Sequence, residues 1–284
     1  MVSLSAIQFC SKPNVEENLK TIETLLETLQ VTTEHVVVLP ECCLFFGGSD
    51  KDQLAFAIKN NHSNFATNAL SQLASKYGVY LVAGSLPLLV EGSIPEDNSQ
   101  KFTNTCLVFS PLGELIQSYD KIHLFDAKVS ESDKVYAEST YTQAGEHLKI
   151  ASTKSTKLGL TICYDLRFPE LYKKLRCLGA DIITVPSAFT ATTGKAHWQA
   201  LLQARAIENQ VYIIAAGQQG KHANGRETWG HSMIISPWGV IEACASEGES
   251  IITTTYSRKE LARVREAMPV MEHNKFTSKL NSYE

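Results

Sequence analysis

The sequence predicts a layered α/β fold built on mixed sheets. Short apolar runs alternate with segments of helical periodicity, two Ser-Pro-x-Gly turns join paired strands, and two apolar runs each stop at a proline. Strands that alternate with helices and hairpins bury their apolar faces by stacking in layers. The repeated turns and the repeated strand-then-proline pattern point to two related sheet-and-helix halves.

Residues 3–10 read as the first strand. Asn14 is placed to cap the next helix, with Glu17 three residues on. Val15, Leu19, Ile22, Leu25, Leu26 and Leu29 then fall on one helical face. In His35-Val36-Val37-Val38-Leu39-Pro40-Glu41, four apolar residues make a buried strand and Pro40 ends it. Residues 63–77 read as a second helix and 79–84 as another strand. Residues 105–121 read as a hairpin turning at Ser110-Pro111-Leu112-Gly113, where Pro presets one φ angle and Gly permits the tight close. Residues 158–162 form a short buried strand, and Pro169 suits the first turn of the helix that follows. Residues 181–186 repeat the apolar run ending in proline, a helix covers 196–209, and a second hairpin at 232–243 turns at Ser236-Pro237-Trp238-Gly239. No Pro/Gly/Ser-rich linker interrupts the chain, so 1–284 is expected to form a single domain, with 268–284 as a mostly polar tail.

At 284 residues and 44% hydrophobic content, the chain has ample material for a large core. Its nearly balanced formal charge of −4 gives no sign of the polybasic face that nucleic acid or anionic lipid would require. No apolar stretch approaches the ~20 residues of a membrane span, and the opening residues lack a signal peptide's basic segment and apolar run. The expectation is a cytoplasmic protein that binds neither nucleic acid nor membrane. The seven cysteines are odd in number and include no C-x-x-C pair, which fits reduced buried thiols better than disulfides or zinc.

Cys163 stands apart from the other thiols. It follows the strand at 158–162 and precedes Pro169, so it sits at a strand-to-helix turn, where free backbone N–H groups face outward. Two other reactive side chains stand where apolar runs stop: Glu41 after Pro40, and Lys121 after the first hairpin. Strand ends in layered α/β folds meet at a common mouth. A carboxylate, an ammonium and a thiol there make chemical sense together. A free thiol is only slightly ionised at neutral pH. The carboxylate can take its proton, and the ammonium can stabilise the charge that develops on attack.

The surrounding motifs sharpen this. Leu39-Pro40-Glu41, Tyr119-Asp120-Lys121-Ile122-His123-Leu124-Phe125 and Thr161-Ile162-Cys163-Tyr164-Asp165-Leu166-Arg167-Phe168-Pro169-Glu170-Leu171 together resemble the nitrilase superfamily of carbon–nitrogen hydrolases. The segments at 186–198, 204–210 and 230–233 resemble its Nit branch, and the Leu166–Pro169 and Ser187–Phe189 sequences resemble the deaminated glutathione amidase type within that branch. The resemblance implies a four-layer αββα sandwich with two mixed sheets flanked by helices, and pairing into a homodimer. It implies Cys163 as nucleophile, Glu41 as general base and Lys121 as oxyanion partner. It further implies a second glutamate that orients Lys121: Glu138, with Glu131 as the competing position. The implied reaction hydrolyses the amide bond of deaminated glutathione, a small-molecule substrate, and needs no metal or organic cofactor. An omega-amidase acting on 2-oxoglutaramate is the alternative.

The backbone N–H of Tyr164 is a candidate oxyanion donor. Arg167 suits a substrate carboxylate through its bidentate fork, or an ion pair supporting the turn. Phe189 and Thr190, just past Pro186, either line the pocket or pack. Cys42 and Cys43 adjoin Glu41, so their oxidation would place a modified sulfur beside the base. A papain-like reading would need His123 or His231 oriented to Cys163, and a non-enzymatic scaffold would not need the three reactive groups at all.

Overall fold

Two β-sheets packed face to face make the centre of the molecule, and helices cover both outer faces. The computed structural model describes residues 1–90, 100–128 and 135–277. The strands are β1 (Val2–Gln8), β2 (Glu34–Val38), β3 (Tyr80–Val82), β4 (Leu86–Leu89), β5 (Phe102–Phe109), β6 (Leu115–Asp120), β7 (Asp126–Lys128), β8 (Val135–Ala137), β9 (Thr142–Gln143), β10 (Ile150–Ser152), β11 (Lys157–Leu160), β12 (Ile182–Ser187), β13 (Tyr212–Gly217), β14 (Gln219–Lys221), β15 (Glu227–Trp229), β16 (Met233–Ile235), β17 (Ile241–Cys244) and β18 (Ser250–Tyr256). The α-helices are α1 (Val15–Leu26), α2 (Asp50–Ser63), α3 (Phe65–Tyr77), α4 (Pro169–Cys177), α5 (Ala191–Asn209), α6 (Arg258–Ala267) and α7 (Val270–His273).

One sheet runs β18-β1-β2-β3-β5-β4, with β6 and β9 also paired to β5; the other runs β10-β11-β12-β13-β16-β17. Both are mixed. The pairs β1/β2, β2/β3, β11/β12 and β12/β13 are parallel, and antiparallel strands flank them. Strand alternation explains the layering. Leu4, Ala6, Val36, Val38, Val82, Cys106 and Val108 face the second sheet in one core, while Ile7, Val37, Leu81, Leu107 and Phe109 face α1 and α3 in another. Each such Val, Leu or Ile contributes about 1.5–3 kcal/mol by leaving water.

Asn14 caps α1 as expected, its side chain accepting from the Glu17 N–H at 3.2 Å. Both Ser-Pro-x-Gly turns close with a Gly N–H to Ser carbonyl bond of 2.9 Å, and Gly113 and Gly239 take positive φ. Pro169 opens α4.

Other boundaries need correction. A whole helix, α2, precedes the one expected at 63–77, and Asn64 separates the two by turning left-handed at φ 52°. Helix α5 begins at Ala191 rather than 196, because the Thr190 side chain caps it through the Thr193 N–H. Pro186 lies inside β12 instead of ending it. The 268–284 tail contains the short helix α7, and residues 278–284 lie outside the described residues. Among the described residues, no helix is long and apolar enough to cross a membrane.

Candidate active site

The C-terminal ends of strands from both sheets meet at one cavity of about 200 Å³. Glu41 lies three residues past β2, Lys121 directly after β6, and Cys163 opens a 3-10 turn after β11. Glu138 begins a second 3-10 turn, Glu138–Thr140. All four line this cavity, as do Tyr164, Arg167, Phe189 and Thr190. Glu131 lies outside the described residues.

Lys121 is the hub. Its ammonium donates to Glu41 Oε1 at 2.9 Å and to Glu138 at 3.0 Å (Oε1) and 2.9 Å (Oε2). The Lys121 side chain is 2% exposed, so this charge survives only because two carboxylates surround it. Burial opposes its protonation, but Glu138 and Glu41 outweigh that and hold its pKa well above the ordinary lysine value.

Glu41 is fixed from four sides. Asn104 Nδ2 donates to its Oε1 at 3.0 Å, the Ala188 N–H donates to its Oε2 at 2.9 Å, and Gln218 Nε2 holds its main-chain carbonyl at 2.9 Å. Burial pushes the Glu41 carboxyl up, yet the Lys121 charge and hydrogen bond win and hold it below its usual value. Glu41 lines the same cavity as Cys163. Burial and then the Glu41 charge push the Cys163 thiol up, with Lys121 pulling the other way. The resting pair is therefore a carboxylate facing a neutral thiol.

The backbone around Cys163 is unusual. Its φ is 47°, a left-handed conformation that costs a non-glycine residue about 1–2 kcal/mol. Asp165 keeps it there. This fully buried carboxylate accepts from the Ile162 N–H at 2.8 Å, the Tyr119 hydroxyl at 2.8 Å, and His123 Nδ1 at 2.7 Å. One carboxylate thus ties the cysteine turn to the segment carrying Lys121. Gly84 supports the opposite wall, since a Cβ there would fall 1.8 Å from the Pro40 carbonyl oxygen just before Glu41.

Among the described residues, no histidine lines the cavity. His123 is engaged with Asp165 and stacks on Phe168, and His231 bonds the Trp229 carbonyl and stacks on that ring. Neither suits a papain-like pair. Cys42 lines the cavity, whereas Cys43 faces the helical side and bonds main-chain carbonyls of Ala83 and Ser85. Arg167 reaches His197 at 3.3 Å and lies over the Phe189 and Tyr164 rings, 5.3 and 5.9 Å from their centres. Among the described residues, no group of three or more His, Cys, Asp or Glu side chains is arranged to hold a metal.

The profile of the carbon–nitrogen hydrolase family matches residues 3–266. The chain belongs to the carbon–nitrogen hydrolase family. This hydrolase is 38% identical over 278 residues to a deaminated glutathione amidase of Yersinia enterocolitica, covering 98% of this chain and 94% of the relative. It is 37% identical over 268 residues to an omega-amidase of Xenopus tropicalis, covering 94% and 92%. Among solved structures, the C. elegans NitFhit protein matches with a TM-score of 0.86 at 34% identity over 96% of the hydrolase, which spans 65% of that longer chain.

Sequence reasoning missed several residues of this hydrolase's site. Asn104 bridges the two glutamates, with 3.0 Å to Glu41 and 3.3 Å to Glu138, and its carbonyl accepts from the Lys121 N–H at 2.9 Å. The hairpin register carried the signal, because Thr105 opposite Asp120 sets Asn104 opposite Lys121. Arg226, Phe46 and Tyr136 also line the cavity from distant parts of the chain, and nothing local in the sequence marks them.

Proposed function

We propose that this hydrolase cleaves the amide of deaminated glutathione, releasing 2-oxoglutarate and cysteinylglycine, with Cys163 as nucleophile. Glu41 takes the Cys163 proton, and the sulfur attacks the amide carbon. Lys121 and the Tyr164 N–H receive the oxyanion. The tetrahedral adduct collapses as the C–N bond breaks, and Glu41 returns its proton to the departing amine. A thioester remains on Cys163. Glu41 then takes a proton from water, which attacks the thioester; the C–S bond breaks and the sulfur recovers the proton. Glu138 and Asn104 act as positioning residues for Lys121 and Glu41.

The observation that carries this reading is Glu41, held by Lys121 at 2.9 Å, lining one cavity with the Cys163 thiol. The proton passes from Cys163 to Glu41, so total charge in the site is constant as the nucleophile forms. The likeness to deaminated glutathione amidases supports the choice of substrate. The likeness to an omega-amidase supports a second reading, the small ω-amide 2-oxoglutaramate.

The test is 2-oxoglutarate release from each amide by wild type, Cys163→Ala and Glu41→Gln. The expected result is preference for deaminated glutathione, no turnover by Cys163→Ala, and a loss of about 10²–10⁴-fold in Glu41→Gln. Turnover near wild type in Cys163→Ala would overturn the mechanism, and preference for 2-oxoglutaramate would overturn the substrate.

The working form is a cytoplasmic homodimer of one-domain subunits. All seven cysteines are unpaired, which suits a reducing compartment. Ile207, Trp238 and Val240 are each about half exposed and meet where the β16–β17 turn touches α5, an apolar patch suited to a second copy. Sedimentation of wild type and Trp238→Glu checks this, a monomeric wild type being the contrary result.

A further inference from the structure

The cavity holds more positive charge than the reaction scheme uses. Lys121 is balanced by Glu41 and Glu138, but Arg167 and Arg226 also line the site, and among the described residues neither forms an ion pair with a carboxylate. Arg226 is the less explained of the two. Its Cζ lies 5.2 Å from the centres of both the Phe46 and Tyr136 rings, which fix the guanidinium plane. Nη2 donates to the Ala188 carbonyl at 2.8 Å, while Nε is buried and has no partner. A buried donor left unsatisfied is costly. Here it belongs to a rigid fork beside a reaction cavity, with Nε free of acceptors among the described residues.

The position of Arg226 selects its ligand. Ala188 links it to the general base, because the Ala188 N–H holds Glu41 Oε2 while the Ala188 carbonyl holds Arg226. The Arg226 charge also helps to lower the Glu41 pKa. In the scheme above, Glu41 delivers a proton to the departing nitrogen, so the leaving group lies on Glu41's side. Arg167 instead lies over the Tyr164 and Phe189 rings. The two guanidinium groups therefore rest on different aromatic walls of the cavity.

We propose that Arg226 binds a second substrate carboxylate, the one terminating the leaving group, and so selects amides that carry an anion at both ends. This rests on the functional reading above and deepens it. Two extended residues reach about 7 Å, so a dipeptide leaving group places its C-terminal carboxylate beyond Glu41, toward the wall of Phe46, Tyr136 and Arg226. A small ω-amide, whose leaving group is ammonia, has nothing to offer that wall.

The experiment pairs a change in the enzyme with a change in the substrate. Wild type, Arg226→Gln, Arg226→Lys and Arg167→Gln are assayed on deaminated glutathione and on the same molecule with its C-terminal carboxylate converted to a carboxamide. Wild type should prefer the carboxylate form by about 10- to 100-fold in kcat/KM, the range of a charge-assisted hydrogen bond. Arg226→Gln should reduce that preference to near unity, chiefly through KM. Arg226→Lys should keep part of it, because the charge remains and the fork is lost. Arg167→Gln should lower both forms together and keep the preference. A merely structural Arg226 would lower both substrates equally, and that result, or an intact preference in Arg226→Gln, overturns the proposal. If Arg226→Gln does not fold, an undiminished preference in Arg226→Lys overturns it as well. Wild type inactive on both forms would instead overturn the underlying function.

Discussion

Lys121 shows how one buried charge organises a site. Two carboxylates compensate it, and it in turn keeps Glu41 ionised against burial. Removing it should have two separable effects. Lys121→Met should slow turnover by at least about 10²–10³-fold, as loss of an oxyanion donor does. It should also destabilise the fold by about 3–5 kcal/mol, because the buried Glu41 carboxylate loses its cation; kinetics and urea denaturation together check both. Asn104→Leu is the milder case. It removes donors to both glutamates but no charge, so kcat should fall about tenfold with KM little changed. The contrast also shows what the sequence displays. Glu41, Lys121 and Cys163 each follow an apolar run, so their places at strand ends were legible. Asn104 sits among threonines within β5, and only the pairing of β5 with β6 reveals its neighbours.

At the level of elements, backbone contacts decide what a residue's propensity cannot. Gly194 lies inside α5, where Ala would favour the helix by about 1 kcal/mol. A Cβ there would lie 2.2 Å from the Trp229 Cβ. Overpacking of this kind costs about 1–3 kcal/mol, so Gly194→Ala should lower the urea midpoint despite its better propensity. A raised midpoint would mean that Trp229 yields easily. The start of α5 was misread for a related reason: the capping Thr190 falls within a run of small and polar residues with no apolar stripe. Helix α2 escaped notice because Leu54, Phe56, Ala57 and Ile58 cluster without a clean helical repeat. Its start is set by a capping box between Ser49 and Asp52. Strands such as β2 and β12 were read from their apolar runs, but β13 and β18 went unread although both carry β-branched residues.

For the molecule as a whole, acid should act through buried neutral histidines as well as through the site. Burial lowers the pKa of His35 and of His222 to about 4. His35 pairs with the Ser5 hydroxyl at 2.8 Å, and His222 lies between the Ser11 carbonyl and the Thr228 hydroxyl. The unfolded chain binds these protons near pH 6.5 and the folded chain only near 4. Stability is therefore complete above about 6.5 and falls as pH drops toward 4. Urea midpoints at pH 7, 6 and 5 should decline in that order, and a flat series would mean that neither histidine is held neutral. The unbroken apolar run at Val36–Leu39 made a buried strand readable, whereas the partnership between sheets depends on contacts between residues far apart in the chain. That partnership has a further meaning. Glu41 and Lys121 hang from one sheet and Cys163 from the other, so neither sheet alone contains a working set. Reactivity switches on only when the two halves close on each other, and a nascent or partly opened chain carries a thiol with no base to arm it.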